Sequence, residues 1–251
     1  MEIRCLPDKR LSEAEESVIA YINQQRCIIH LLTITDIAEG AFVSNATVSR
    51  AIRKCGFGSL SEMKFRLTED AKEDRQTYEM NRILSKSYTE CLETIKQIDI
   101  GTVIEIVRML RHAKVVYLLA NGLTALIANE FAVQLQCQRI NVCLISDSEM
   151  MRKMDLLARE GDLILILSVK NSRPELGIGA RLGRKAGAAV VTCCCTRGTE
   201  LDGLSDRVLY GYTQSIYSNR SFGGISRLGL LIITRTIVEY MASDVELDGS
   251  I

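Results

Sequence analysis

Histidine is almost missing from this 251-residue chain: His30 and His112 are the only two. Neither lies near a cysteine cluster, and no two of the nine cysteines form a Cys-x-x-Cys pair. Zinc sites draw on such spacings, so no metal site is expected, and scattered thiols suit a reducing compartment. No other cofactor is expected either. Excess charge is also missing, with 31 basic residues against 31 acidic. The chain as a whole is therefore no generic polyanion binder, and any nucleic-acid site must be a local patch. No apolar run approaches the roughly 18 residues needed to span a membrane. Met1 to Leu11 is charged and lacks the apolar core of a signal peptide. A cytoplasmic protein without a membrane partner is expected. Internal repeats and low-complexity segments are absent.

What is present has two textures. With 47% hydrophobic and 25% charged residues, the chain has enough apolar material for real cores. Residues 1–75 hold short helical patterns with polar connections, and residues 99–251 alternate apolar runs with helical stretches. Between them, 76–98 reads as a helical connector with apolar positions at Ile83, Leu84, Tyr88, Leu92 and Ile95. It is not a Gly/Ser linker. Such a helix suits packing on the second domain or on a partner chain.

Five runs in the second part, Lys114–Ala120, Asn141–Asp147, Asp162–Ser168, Ala189–Cys195 and Asp206–Tyr212, are continuous and rich in Val, Ile and Leu. Runs of this kind suit parallel strands buried on both faces. Helical patterns at Thr124–Cys137, Ser148–Glu160 and Pro174–Ala186 separate them, which implies a doubly wound five-stranded parallel sheet. Gly161 and Gly187 follow helices where a left-handed cap is wanted. Cys193-Cys194-Cys195 reads as the end of a buried strand, where cysteine acts as a small hydrophobe, rather than as a redox sensor. A last helix, Arg227–Met241, with Leu228, Leu231, Ile232, Thr236, Val238 and Tyr240, is apolar enough to cover a sheet or join a dimer interface.

The N-terminal part reads as an all-α helix-turn-helix domain. Ser12 opens a helix, boxed by Glu15, with the stripe Val18, Ile19, Ile22. A second helix falls near Thr35–Ala41. The third, Ser44–Cys55, has Ser44 as N-cap and buries Val48, Ala51, Ile52 and Cys55 on one stripe. Its other face carries Ala46, Arg50 and Arg53, flanked by Asn45, Thr47, Ser49 and Lys54. Arginine pairs with guanine edges in the major groove, and small hydroxyl side chains allow close approach. Residues 44–66 hold five basic residues and one acidic, whereas residues 1–43 hold four basic and seven acidic. A further helix start at Ser59, boxed by Glu62, would aim its N-terminus and Lys64 at a phosphate. The candidate DNA contacts are thus Ser44, Asn45, Thr47, Ser49, Arg50, Arg53, Lys54 and Lys64.

Asp36-Ile-Ala-Glu-Gly-Ala-Phe-Val-Ser-Asn-Ala-Thr-Val-Ser-Arg50, followed by Lys54-Cys-Gly-Phe-Gly-Ser-Leu-Ser-Glu-Met-Lys64, resembles the N-terminal domain of the RpiR family of transcriptional regulators. That family's reading helix follows Val-Ser-x-Ala-Thr-Val-x-Arg. One departure is Phe42, which stands where many helix-turn-helix proteins place glycine and is expected to reach the core.

Two strand-to-helix turns carry the remaining chemistry. Ala120-Asn121-Gly122-Leu123-Thr124 offers a close backbone approach at Gly122 and a hydroxyl at a helix N-terminus, which favours an anion. Ser168-Val169-Lys170-Asn171-Ser172-Arg173-Pro174 offers hydroxyls and two cations at the same sheet edge, where open parallel sheets bind ligands. The candidate ligand residues are Asn121, Gly122, Thr124, Ser168, Lys170, Asn171, Ser172 and Arg173. Read structurally, each loop is also an ordinary connection.

Residues 100–212 are similar to a SIS (sugar-isomerase) domain, the phosphosugar-binding unit that follows the reading domain in RpiR proteins. The family's first loop is Gly-x-Gly-x-Ser and its second Ser-x-Ser-Gly-x-Thr-Pro-Glu. Here Ser168, Pro174 and Glu175 match, while Lys170, Asn171 and Arg173 replace serine, glycine and threonine. This leaves open a differently phosphorylated ligand, a more acidic one, or none.

The reading is a transcriptional regulator that binds a double-stranded DNA operator and a small phosphorylated sugar or related anion, as a homodimer or homotetramer. The two rivals are a SIS-fold isomerase and an interaction protein with a degenerate ligand site. Sugar-phosphate isomerisation needs a base. Glu130 and His112 are the weak candidates, so no enzyme is expected.

Overall fold

The computed structural model describes residues 3–26, 28–73, 75–215 and 225–247, the side chains of 68–78 and 244–247 excepted. The chain divides into two compact units, Met1–Tyr88 and Thr89–Ile251. The division falls inside one long helix, in the segment read as a connector.

In the first unit, α1 (Glu13–Gln24) begins at a complete capping box, with Ser12 and Glu15 exchanging side-chain and backbone hydrogen bonds. A second box, Thr33 with Asp36, starts α2 (Ile34–Gly40). Helix α3 (Asn45–Lys54) is capped by the Ser44 hydroxyl, which accepts from the Thr47 amide. Each cap satisfies amides that the first turn leaves without partners. The boxes occur where the polar residue precedes an apolar stripe, so the sequence dictates these starts locally. Val18, Ile19, Ile22, Ile37, Val48, Ala51, Ile52 and Met63 close a single core under α1–α4. Helix α4 (Leu60–Glu73) starts at Ser59, whose hydroxyl takes the Glu62 amide, while the Glu62 carboxylate takes the amide of Gly58.

Phe42 does not enter this core. It sits at the α2–α3 turn with φ 55° and 95% of its surface exposed. Ala41 is buried and Val43 packs on the core. The left-handed turn between them swings the intervening side chain outward.

Helix α5 (Arg75–Gln97) covers the connector, and its apolar side chains do not pack on the second domain. Ile83, Leu84, Leu92 and Ile95 are exposed, and the buried positions are Ser85, Glu90 and Thr94. In the second unit, Glu90 accepts hydrogen bonds from the Thr213 hydroxyl (3.1 Å) and the Gln214 amide (2.7 Å). The Thr94 hydroxyl accepts from the Tyr212 amide at 3.0 Å. A loop backbone, rather than an apolar surface, is what this helix covers, so hydrogen-bonding residues face inward.

The second unit is a three-layer α/β domain. Helix α6 (Ile100–His112) leads into β1 (Val116–Leu119), then α7 (Thr124–Cys137), β2 (Val142–Ile145), α8 (Ser148–Met151), α9 (Met154–Leu157) and β3 (Leu163–Ser168). There follow α10 (Pro174–Lys185), β4 (Ala189–Cys194), α11 (Glu200–Leu204), β5 (Arg207–Tyr210) and α12 (Leu228–Leu247). All strands are parallel, in the order β2-β1-β3-β4-β5. Strand periodicity sorts the core: Leu163, Leu165 and Leu167 face α6, α7 and α12, and Ile164 and Ile166 face the opposite layer. Gly187 has φ 93°, as the cap after α10 requires, whereas Gly161, at φ 90°, lies past the Ala158 cap of α9, in a turn closed by the Asp162 amide on the Arg159 carbonyl.

Three readings need correction. The edge strands β2 and β5 are only partly buried, because an edge has one strand neighbour. Ser148–Glu160 is two short helices, since the Lys153 amide bonds to Met150 and the Leu156 amide to Lys153, closing tight turns instead of continuing the ladder. On α12 the deeply buried stripe is Leu230, Ile233, Ile237 and Met241, while Leu231, Ile232, Val238 and Tyr240 are half-buried.

Candidate functional site

On α3, the candidate reading helix, the structure joins three expected residues into one chain of hydrogen bonds. The Ser44 and Thr47 hydroxyls lie 2.9 Å apart, and the Arg50 guanidinium donates to Thr47 Oγ1 at 3.1 Å. One turn separates each pair, so the bonds run along a single face. Thr47 itself is buried, which makes it a support for Arg50. Ser44, Asn45, Arg50 and Arg53 are exposed and Ser49 is half-exposed.

Lys54 and Lys64 are engaged within the protein. Lys54 Nζ lies 2.6 Å from Glu15 Oε2 and 3.0 Å from the Arg10 carbonyl oxygen. Arg50 also approaches the Glu15 carboxylate, at 3.8 Å. The hydrogen bond from Lys54 holds Glu15 below the usual carboxylate range, helped by the Ser12 amide. Lys64 donates to the carbonyl of Leu32 at 2.5 Å and to that of His30 at 3.4 Å, and partial burial lowers its pKa. These two lysines brace the head while keeping its charge positive.

In the second domain both candidate loops leave the carboxyl edge of adjacent strands, β1 and β3. The strand order reverses there: from β1 the chain crosses to β2 on one side and later to β3 on the other. Ligands of open parallel sheets bind at this switch point, where the connections diverge and leave a crevice.

The first loop places Gly122 at φ 57°, with nothing within 4 Å of where a Cβ would stand. Thr124 begins α7, a 14-residue helix whose first amides face that edge. Arg227 Nε donates to Thr124 Oγ1 at 3.3 Å. The sequence offered no signal for Arg227: it precedes the last helix, more than 100 residues from the loop it meets.

In the second loop the Ser168 hydroxyl accepts from the Asn171 amide at 3.0 Å. Asn171 has φ 52°, a conformation glycine and asparagine tolerate best. That accounts for asparagine where the family pattern has glycine: the backbone need is kept. Its side-chain amide donates to Thr199 Oγ1 at 3.0 Å, and that of Asn121 donates to Ser148 Oγ at 3.3 Å. Each side chain thereby ties its loop to the next strand's loop. Ser148 was discoverable, since it follows β2 at the same edge. Ser172 and Arg173 are exposed, Lys170 and Asn171 half-buried and Ser168 buried. The carboxamide oxygens of Asn121 and Asn171 are buried without hydrogen-bond partners. No group of three or more His, Cys, Asp or Glu side chains among the described residues is arranged to hold a metal.

His112 closes α6 at the opposite edge of the sheet, bonded to the Arg108 carbonyl at 2.7 Å. Glu130 is exposed on α7, with Gln134 donating to it.

Known proteins resemble both units. The model of the helix-turn-helix domain of the rpiR family matches residues 6–74, and that of the SIS domain matches residues 109–227. An uncharacterised HTH-type transcriptional regulator of Clostridium perfringens is 23% identical over 258 residues, spanning 96% of this chain and 92% of the relative. The Vibrio vulnificus NanR protein, solved with ManNAc-6P, shares the fold with a TM-score of 0.60 at 22% identity, over 93% of this chain and 88% of that one. Phosphoheptose isomerase GmhA of Neisseria gonorrhoeae matches 64% of this chain and 96% of its own, with a TM-score of 0.53 at 12% identity.

A helix-turn-helix head followed by a SIS domain is the build of a DNA-binding transcriptional regulator. This chain belongs to the RpiR family of such regulators.

Proposed function

We propose that the SIS domain is a sensor for a phosphorylated sugar or a related anionic metabolite, and that ligand binding changes how the heads engage DNA. The observation that carries this reading is the meeting of both polar loops at the β1/β3 switch point, with Arg227 bonded to the hydroxyl that opens α7. Phosphate would lie against the α7 N-terminus and Arg227. The hydroxyls of Ser168, Ser172 and Thr124, the backbone at Gly122, the carboxamides of Asn121 and Asn171, and the Lys170 and Arg173 cations complete the surroundings. NanR's ManNAc-6P complex supports the same ligand class.

Ser44, Asn45, Ser49, Arg50 and Arg53 form the DNA-reading surface, with Thr47, Lys54 and Lys64 behind it. The protein acts in the cytoplasm as a homodimer or homotetramer on a two-fold operator. Exposed apolar side chains, Ile83, Leu84, Leu92 and Ile95 on α5 and Leu126 and Val133 on α7, favour self-association. The far-edge position of His112 and the exposure of Glu130 favour sensing over turnover. No described helix is long and apolar enough to cross a membrane.

The test is a thermal-shift panel of sugar phosphates, ManNAc-6P among them, with the unphosphorylated sugars and inorganic phosphate beside them. A midpoint rise confined to certain sugar phosphates, together with altered affinity for DNA, is expected. No shift with any phosphorylated compound, or conversion of one, would refute the sensor reading.

A further inference from the structure

Among the described residues of the head, Phe42 has a conformation the fold does not explain. A bulky side chain at φ 55° is a backbone outlier, and glycine or asparagine would make the same turn without strain. With 95% of its surface exposed, the ring also forgoes burial. Phe42 thus weakens the fold twice and contributes nothing visible to it. Strain that persists without internal compensation points to a role outside the chain.

The surroundings indicate where. Phe42 lies two residues before Ser44, the N-cap of α3, and Asn45 and Ala46 beyond it are exposed. In helix-turn-helix docking the N-terminal residues of the reading helix meet the base edges. The ring therefore stands at the rim of the surface that Arg50 and Arg53 make basic. A basic rim suits a polyanion better than the apolar face of a second head.

We propose that Phe42 is an apolar DNA contact, seated on a thymine methyl group or on a deoxyribose ring of the operator. Aromatic side chains make the first kind of contact in the major groove. The inference rests on α3 being the reading helix.

The experiment uses a duplex that the wild-type protein selects from a random pool, titrated by fluorescence anisotropy. Phe42→Gly, Phe42→Asn and Phe42→Tyr are compared with Arg50→Ala and Arg53→Ala. Phe42→Gly and Phe42→Asn are expected to melt at or above the wild-type temperature, because the strain is relieved. They should nevertheless bind roughly 5- to 100-fold more weakly. Phe42→Tyr keeps the ring and should keep the affinity. Deoxyuridine placed at each thymidine in turn separates the two seats. Weakening at one position for the wild type but not for Phe42→Gly marks the thymine methyl, and no weakening at any position marks deoxyribose. Wild-type affinity in both Phe42→Gly and Phe42→Asn overturns the proposal. If the arginine variants still lose binding, that failure is Phe42's alone. If they lose none, the reading helix itself is misassigned.

Discussion

Glu15 and Lys54 join the first turn of α1 to the last turn of the reading helix, with Lys54 Nζ 2.6 Å from the buried Glu15 carboxylate. The same carboxylate closes the capping box on the Ser12 amide at 2.8 Å. One side chain therefore fixes both where α1 begins and how α3 lies against it.

Replacing either partner should destabilise the head. Glu15→Ala removes a cap and an ion pair, and Lys54→Ala takes from a buried carboxylate the nearer of its two cations, leaving Arg50 at 3.8 Å. About 1–3 kcal/mol is expected for each, read from urea denaturation. Acid dependence follows from the sign of the shift. Lys54 holds the folded-state pKa of Glu15 below 4.5, its ordinary value. The contribution is complete above that pH and is lost as pH falls through the lowered value. Glu15→Gln should flatten this acid limb, and an unchanged limb would show that Glu15 has no part in it.

Arg50→Ala and Arg53→Ala should each weaken operator binding by about 1–3 kcal/mol, with loss of base preference where the contact is to guanine. Thr47→Val keeps the side-chain shape but removes the hydroxyl that orients Arg50. It should reproduce part of the Arg50→Ala loss. Full binding by Thr47→Val would mean that Arg50 finds its place on the DNA unaided.

Arg227→Ala should reduce sugar-phosphate affinity by about 1.5–3 kcal/mol, the range for hydrogen bonds to charged groups. Calorimetry with the best compound of the panel measures it. Unchanged affinity would place the phosphate away from the α7 N-terminus.

Thiol labelling should begin at Cys137 and Cys143, the exposed cysteines among those described. Burial raises the pKa of Cys193 and Cys194, and pushes that of Cys195 up to about 12. All three stay protonated at neutral pH, and the thiolate is the reactive form. Modification of this trio in native protein, mapped by mass spectrometry, would contradict the buried-strand reading.

Local rules made much of this protein legible in its sequence. The capping box at Ser12, the caps at Ser44 and Ser59 and the stripe of Val48, Ala51, Ile52 and Cys55 need only neighbours within a turn. The apolar runs of β1, β3 and β4 revealed their strands because a strand covered on both faces has nowhere to put polar residues, and the edge runs β2 and β5 were legible from their apolar content alone. The two candidate loops were legible as strand-to-helix turns on one sheet edge.

Relations across the chain were decided only in three dimensions. Thr124 meets Arg227, Glu15 meets Lys54, and Glu90 meets Gln214, each pair joined by a packing arrangement that leaves no periodic trace. Helix α12 is apolar almost all round, so its pattern could not say which side lies on the sheet. On α5 the pattern left two packing partners open, and the structure turns Glu90 and Thr94, not the apolar side chains, toward the second domain's loop. Phe42 escaped for a related reason: hydrophobicity predicts burial, but a left-handed turn decides direction. The sequence determines what each segment prefers by itself, and the tertiary structure determines which preferences are met, because burial and distant hydrogen bonds outweigh local propensity.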